Sequence, residues 1–314
     1  MVASVIGWIR GLAIVALTTA AIAVGTTPSE DEPTAGSPPT TQPETTPVER
    51  APLRLADHID QAVFTAAERG ADVTIAFLDR HDGHYESFAD AVPFPTASLA
   101  KLFIADDLFY REASTELRLT AREHRLVARM LEYSDDFAAT ELWNRYGTSD
   151  IVVDVAARNH LAATSAPYDG RWWNTTTTGR DLVDYYSAML SGSGGLDAPH
   201  RNELMGYLHN FGRIGADGYD QSFGIPAGLP GESDIAVKQG WMCCSGGRWL
   251  HLSTGVIGPD DRYILVVVSR EDLNYGGADP DYPDTSQTTA VNDISAAHAR
   301  ETLTNVVRIL FPQS

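Results

Sequence analysis

Lysine is almost missing from this chain. Of its 23 basic residues, only Lys101 and Lys238 are lysine, and the rest are arginine. Arginine therefore carries the ordinary surface charge, and two lysines kept against that bias point to chemistry a guanidinium cannot do. Arginine stays protonated at any useful pH, whereas a crowded lysine can lose its proton and act as a base. Positive charge is also short overall, with a formal net charge of −19. That excludes a nucleic-acid partner, which needs clustered Lys and Arg against the phosphates. The acidity itself reads as a solvated, soluble surface.

Cysteine is nearly absent too, limited to the adjacent pair Cys243-Cys244. Neighbouring Cα atoms sit about 3.8 Å apart, below the usual disulfide span, so a bridge there is strained. The pair reads as a vicinal disulfide or as two buried thiols near a sheet edge. The nine histidines show no metal-ligand spacing, and His251 joins a metal cluster only if further ligands converge on it. No cofactor is called for. No cysteine lies near residue 25, which excludes lipid attachment there.

Arg10 is followed by an apolar run from Gly11 to Val24, with Ala21 and Ala23 as a small-x-small pair. This pattern predicts an export signal or uncleaved anchor over residues 1–25. Residues 26–52, "TTPSEDEPTAGSPPTTQPETTPVERAP", hold little that is apolar and predict a disordered tether. The folded part is expected over 53–314, in the cell envelope or outside the cell. Any membrane contact is expected only through the N-terminal segment, and the protein is expected to act as a monomer.

Residues 54–69 have helical spacing and stop at Gly70. "DVTIAFLDRHDGHYESFAD" predicts a hairpin around Asp82-Gly83. Helical patterns then dominate until about residue 214. Strand-like runs return in "SDIAVKQGWM", "RWLHLSTGVIG" and "RYILVVVSR", before a closing helix in "DISAAHARETLTNVVRIL". Strands at both ends with helices between predict an α+β fold. One antiparallel sheet (53–94 and 215–314) is flanked by the first and last helices, and residues 95–214 form a helical lobe.

"TASLAK" places Ser98 three residues before Lys101, where a helix should start. A helix N-terminus favours anions, so a lysine in the first turn is misplaced by up to ~1 kcal/mol. Ser98 is either a simple N-cap beside a solvated charge or a nucleophile activated by a neutral amine one turn away. "YSDD" sets Ser134, Asp135 and Asp136 at another helix start, as caps or as site residues. "VKQG" puts Lys238, Gln239 and Gly240 on a strand, where Lys238 is an edge lysine or a second site cation. Trp172 and Trp173 either wall a cleft or pack their own loop.

In order and spacing, these three stretches resemble the S-x-x-K, S-D-N and K-T-G motifs of penicillin-recognising serine enzymes, the class A β-lactamases and penicillin-binding proteins. The likeness spans essentially all of residues 53–314. "TASLAKLFIADDL", "SDD", "DGRWWNT" and "VKQGWMCC" are similar to mycobacterial lipoproteins of the LppW type, which carry a lipidation cysteine that this chain lacks. The resemblance implies a β-lactamase/transpeptidase-like fold and a β-lactam or peptidoglycan-peptide ligand. It further implies Ser98 as the acylated nucleophile, Lys101 as its base, Ser134 as a proton relay and Lys238 as the electrostatic support. The amides of Ser98 and Trp241 would form the oxyanion hole, and Asp136, Gln239 and Gly240 would line the substrate.

The chain departs from the family pattern in three places. Asp136 replaces an Asn that can donate a hydrogen bond, and Gln239 replaces a hydroxyl. No Glu occurs from Leu142 to Asn202, leaving Asp169 as the acid in the omega-like loop. Two readings follow: a Ser-Lys acyl-enzyme former, β-lactamase-like or D,D-peptidase-like, with impaired deacylation, or a catalytically inactive envelope binding protein. An esterase using the same pair is a third.

Overall fold

The computed structural model describes residues 55–275 and 291–312, apart from the side chains of Cys244 and Ser245. The expected signal segment and tether lie outside the described residues. Helix α1 (Leu55–Glu68) leads through the turn at Gly70 into the hairpin β1 (Ala71–Asp79) and β2 (His84–Phe88). A short strand β3 (Phe94–Pro95) and a 3-10 turn (Ala97–Leu99) open helix α2 (Ala100–Ala113). Helices α3 (Ala121–Glu132), α4 (Asp136–Tyr146) and α5 (Ser149–Arg158) follow. A second 3-10 turn (Trp172–Asn174), β4 (Thr176–Thr177), α6 (Gly179–Ser191), α7 (Ala198–His209) and the single turn α8 (Ile225–Gly228) complete the middle. Strands β5 (Ile235–Ser245), β6 (Arg248–Ile257) and β7 (Tyr263–Asp272) precede the closing helix α9 (Ile294–Leu310). The fold is α+β, as the element order predicts.

The five long strands form one antiparallel sheet in the order β2-β1-β7-β6-β5, while β3 and β4 pair separately. Residues of β1 thus pair with the end of the chain, Ala71 with Glu271 and Asp79 with Tyr263. The central strand β7 is apolar at every position from Ile264 to Val268 because both its faces are covered. Leu265 and Val267 face one core, with Ile59 and Ala62 of α1 and Leu303 and Val307 of α9. Ile264, Val266 and Val268 face the other, with Leu102, Phe103 and Leu108 of α2 and Tyr186 of α6. The period-2 alternation of a single strand divides the molecule into two cores.

Helix α2 runs through the middle of the second core. Every residue from Ala100 to Phe109 is buried, Lys101, Asp106 and Asp107 included. The last two are held by Arg158 and Arg111. Strand β5 lies at the sheet edge and packs on the turn at residues 97–99. Cys243 on β5 is disulfide-bonded. No described helix is long and apolar enough to cross a membrane.

Candidate active site

The nucleophile candidate sits on a constrained turn rather than at a simple helix cap. Pairing of Phe94 with Thr177, and the hydrogen bond from Thr96 N to Thr175 O (2.8 Å), fix the approach to residue 97. Ala97 is then forced to a φ of 45°. For a non-glycine residue such a conformation costs about 1–3 kcal/mol and persists only where the surroundings impose it. The following 3-10 turn holds Ser98, 7% exposed, and runs on into α2. The cap-only reading of Ser98 fails, because its hydroxyl contacts Lys101 and caps nothing. Ser134 has the same kind of strain, with φ at 55° just before Asp135 caps α4 through the amides of Phe137 and Ala138.

Burial of α2 carries Lys101 to zero exposure, so its ammonium is not a solvated charge. Nζ lies 2.9 Å from Ser98 Oγ, 2.6 Å from the Ser134 carbonyl, 3.2 Å from Ser134 Oγ and 2.5 Å from Asp136 Oδ1. A carbonyl and a carboxylate can only accept, so they claim two N–H bonds of the amine. What remains toward Ser98 Oγ is a third N–H when Lys101 is charged, or the lone pair when it is neutral. In the neutral form the Ser98 hydroxyl donates to that lone pair, which is the arrangement a general base needs.

Lys238 enters from β5 on the same side. Its Nζ, 1% exposed with the whole residue, donates to Ser134 Oγ at 3.0 Å and to the Gln239 carbonyl at 3.0 Å. The two lysines of the chain therefore converge on one serine hydroxyl. Burial lowers the pKa of Lys101, and the Asp136 carboxylate works against that, helped by Asp217 and Asp135. Burial and then repulsion by Lys101 push Lys238 well below the ordinary lysine value. Asp136 sides with the proton on Lys101, so Lys238 is the amine more strongly driven to lose its charge.

Gly240 explains how the strand approaches Ser98 so closely. A Cβ built there would lie 3.2 Å from Thr96 O, 3.4 Å from Ser98 N and 3.1 Å from Leu252 Cδ1. The next residue, Trp241, stacks its indole on Tyr219 at 4.7 Å, away from α2, with its backbone running beside the turn of Ser98. Gln239 is a correction to the expected site. The pleat turns it to the opposite face from Lys238, where it is 1% exposed and its amide donates to the carbonyls of Gln221 (3.1 Å) and Phe223 (2.5 Å). It braces β5 from behind and does not line the crevice.

The omega-like loop presents an indole to the cluster. Trp172 is 3% exposed, its ring centroid is 4.8 Å from Lys101 Nζ, and its Nε1 donates to Thr140 Oγ1. Trp173 packs edge-on against it. Asp169 accepts from Arg171 N (3.1 Å) and Asn174 Nδ2 (2.8 Å), tying the loop to itself. His251 is buried against Tyr219, whose hydroxyl is 2.7 Å from Nε2, and its burial holds the imidazole neutral with a pKa of about 3. Asp217 was not foreseen from sequence: "RIGADGYD" reads as an ordinary loop, yet its charge reaches both lysines.

A model of the beta-lactamase enzyme family matches residues 120–303, a span that starts after Ser98 and Lys101. The chain is 42% identical over 258 residues to LppW of Mycobacterium bovis and of Mycobacterium tuberculosis, proteins that carry the name lipoprotein. The aligned stretch covers 82% of this chain and 75% of theirs. A beta-lactamase from Chitinophaga pinensis superposes with a TM-score of 0.61 at 13% identity, over 81% of this chain and 98% of the other. An acyl-enzyme complex of a PBP-A mutant with penicillin G superposes at 0.61 and 15% identity, over 82% and 96%. With the sheet, the central helix and the buried Ser-Lys cluster already described, these matches assign the chain to the beta-lactamase enzyme family, beside the LppW lipoproteins.

Proposed function

We propose that this is an exported serine acyl-enzyme former that acts on β-lactams or D-Ala-D-Ala-type peptides and deacylates slowly. The reading is carried by the 2.9 Å contact between Lys101 Nζ and Ser98 Oγ inside a buried cluster completed by Ser134 and Lys238. Neutral Lys101 removes the Ser98 proton as Oγ attacks the carbonyl carbon. The amides of Ser98 and Trp241 receive the developing oxyanion. The proton then passes from Lys101 through Ser134 Oγ to the leaving nitrogen, and the tetrahedral intermediate collapses to an ester on Ser98. Lys238, held against Ser134 Oγ, supports that relay.

Hydrolysis of the ester needs a second base beside the acylated serine. The omega-like loop offers Trp172 against Lys101, and Asp169 is taken up by its own loop. The acyl-enzyme therefore persists. The relatives' lipoprotein name and the apolar N-terminal run support placement in the cell envelope.

One observation favours a second reading, a binding module without turnover: the Asp136 carboxylate at 2.5 Å holds a proton on Lys101. Intact mass after exposure to penicillin G and to a fluorophosphonate decides between them. The wild type is expected to gain one adduct that Ser98→Ala does not form. Absence of an adduct with both probes leaves the binding module.

A further inference from the structure

The crevice differs from its family pattern most sharply in charge. Asp136 stands at the first position of α4, where an amide-bearing side chain would present an N–H to a ligand carbonyl. Its Oδ1 accepts from Lys101, which in turn touches Ser98 Oγ, so the carboxylate lies within two hydrogen bonds of the nucleophile. The side chain remains 65% exposed, and among the described residues Oδ2 has no hydrogen bond. A second acid stands nearby. Asp217 is exposed, and its Oδ1 would lie 2.9 Å from a Cβ on Gly215, a position 3.4 Å from both Trp241 Cη2 and Tyr133 O.

The charges acting on the two buried lysines tell the same story. Lys101 and Lys238 both feel Asp136 and Asp217, Lys101 also feels Asp135, and Lys238 feels Lys101. Of these acids, Asp135 is neutralised by Arg129 at 2.7 Å, and Arg213 of the neighbouring loop is turned to Asp220. Asp136 is paired with Lys101 through Oδ1 and keeps most of its side chain exposed, whereas Asp217 Oδ1 accepts from Tyr219 N at 2.9 Å and contributes only its charge. A carboxylate only accepts hydrogen bonds, so it repels a ligand carbonyl or carboxylate and pairs with an ammonium, which donates three.

We propose that, within the β-lactam and D-alanyl donors named above, Asp136 favours those that carry a free ammonium beside the attacked carbonyl over their N-acylated counterparts. The preferred donor is thus an aminoacyl ester, thioester, lactam or peptide with an unblocked amino group, and N-acylated donors react more slowly. This rests on the acyl-enzyme reading for its chemistry, but recognition is separable from turnover. With a thioester the balance is simple. Ser98 Oγ forms a bond to the carbonyl carbon, the C–S bond breaks, and the Ser98 proton passes through Lys101 to the departing thiolate.

Two measurements test it. The benzyl thioesters of D-alanine and N-acetyl-D-alanine are compared at pH 7 by adduct mass against time. D-Alaninamide and N-acetyl-D-alaninamide are titrated into Ser98→Ala by NMR. The unblocked compound of each pair is expected to win by at least about tenfold, the worth of one charge-assisted hydrogen bond. Asp136→Asn is expected to remove the preference in both. Equal or better binding of the N-acetyl amide by Ser98→Ala overturns the proposal without any variant at residue 136. Absence of adducts from both thioesters, penicillin G and the fluorophosphonate, with the amide preference intact, removes the acyl-enzyme reading and leaves ammonium recognition standing.

Discussion

At the scale of single residues, the decisive feature is that Lys101 has two masters. Burial pulls its pKa down and the Asp136 carboxylate pulls it back. Replacing Asp136 by Asn removes the opposing charge, so the free amine appears at lower pH. The pH profile of acylation with a fluorophosphonate is then expected to move to lower pH. An unchanged or upward-moving profile would show that Asp136 does not govern the base. That Ser98, Lys101, Ser134 and Lys238 belong to one cluster was legible in the order of three short stretches that hold both lysines of a lysine-poor chain, and their side chains do meet. Gln239 departs from the expectation because strand alternation turns it to the face opposite Lys238, onto the carbonyls of Gln221 and Phe223. Asp217 left no signal, since a loop acid acquires meaning only from what folds beside it.

At the scale of elements, α3 and α4 are clamped by one carboxylate. Glu123 closes a capping box with Thr120 and also reaches Arg145 and Tyr146 of α4, with its side chain 4% exposed. The hydrogen bond from Tyr146, with those from Thr120 and Arg145, draws its pKa down to about 2. A folded pKa below the unfolded one means stabilisation that is full above about pH 5 and is lost as pH falls toward 2. The clamp is worth about 3 kcal/mol at neutral pH. Glu123→Gln is expected to lose most of this and to flatten the acid limb of a urea-midpoint series. Strand β5 offers a second test. Gly240→Ala sets a methyl against Thr96 O and Ser98 N. Acylation is expected to drop at least about tenfold while Tm falls by only about 2–4 °C. The Asp82-Gly83 hairpin was readable from local chemistry. The 3-10 turn that aims Ser98 was not, because the strain at Ala97 comes from β3, β4 and β5 closing around it.

At the scale of the whole molecule, the two cores share one sheet, and β7 contributes alternate side chains to each. Neither core can melt without exposing the other face of the same strand. Trp143 and Trp172 report one core, Trp241 and Trp249 the other. Tryptophan emission and far-UV circular dichroism are therefore expected to share a single urea midpoint. Two separated midpoints would mean that the layers unfold independently. The α+β class followed from the order of strand-like and helical runs. Which strands become neighbours did not, since hydrophobic periodicity carries no pairing information beyond adjacent hairpins. That order matters before the protein is ever folded. Because Ala71 pairs with Glu271 and Asp79 with Tyr263, a nascent polypeptide threading out N-terminus first displays β1 long before its mate has been synthesised. On the acyl-enzyme reading, Ser98 stays inert throughout, for Lys238 arrives just ahead of that mate. A centre so wired would switch on only once β5 has been made and paired.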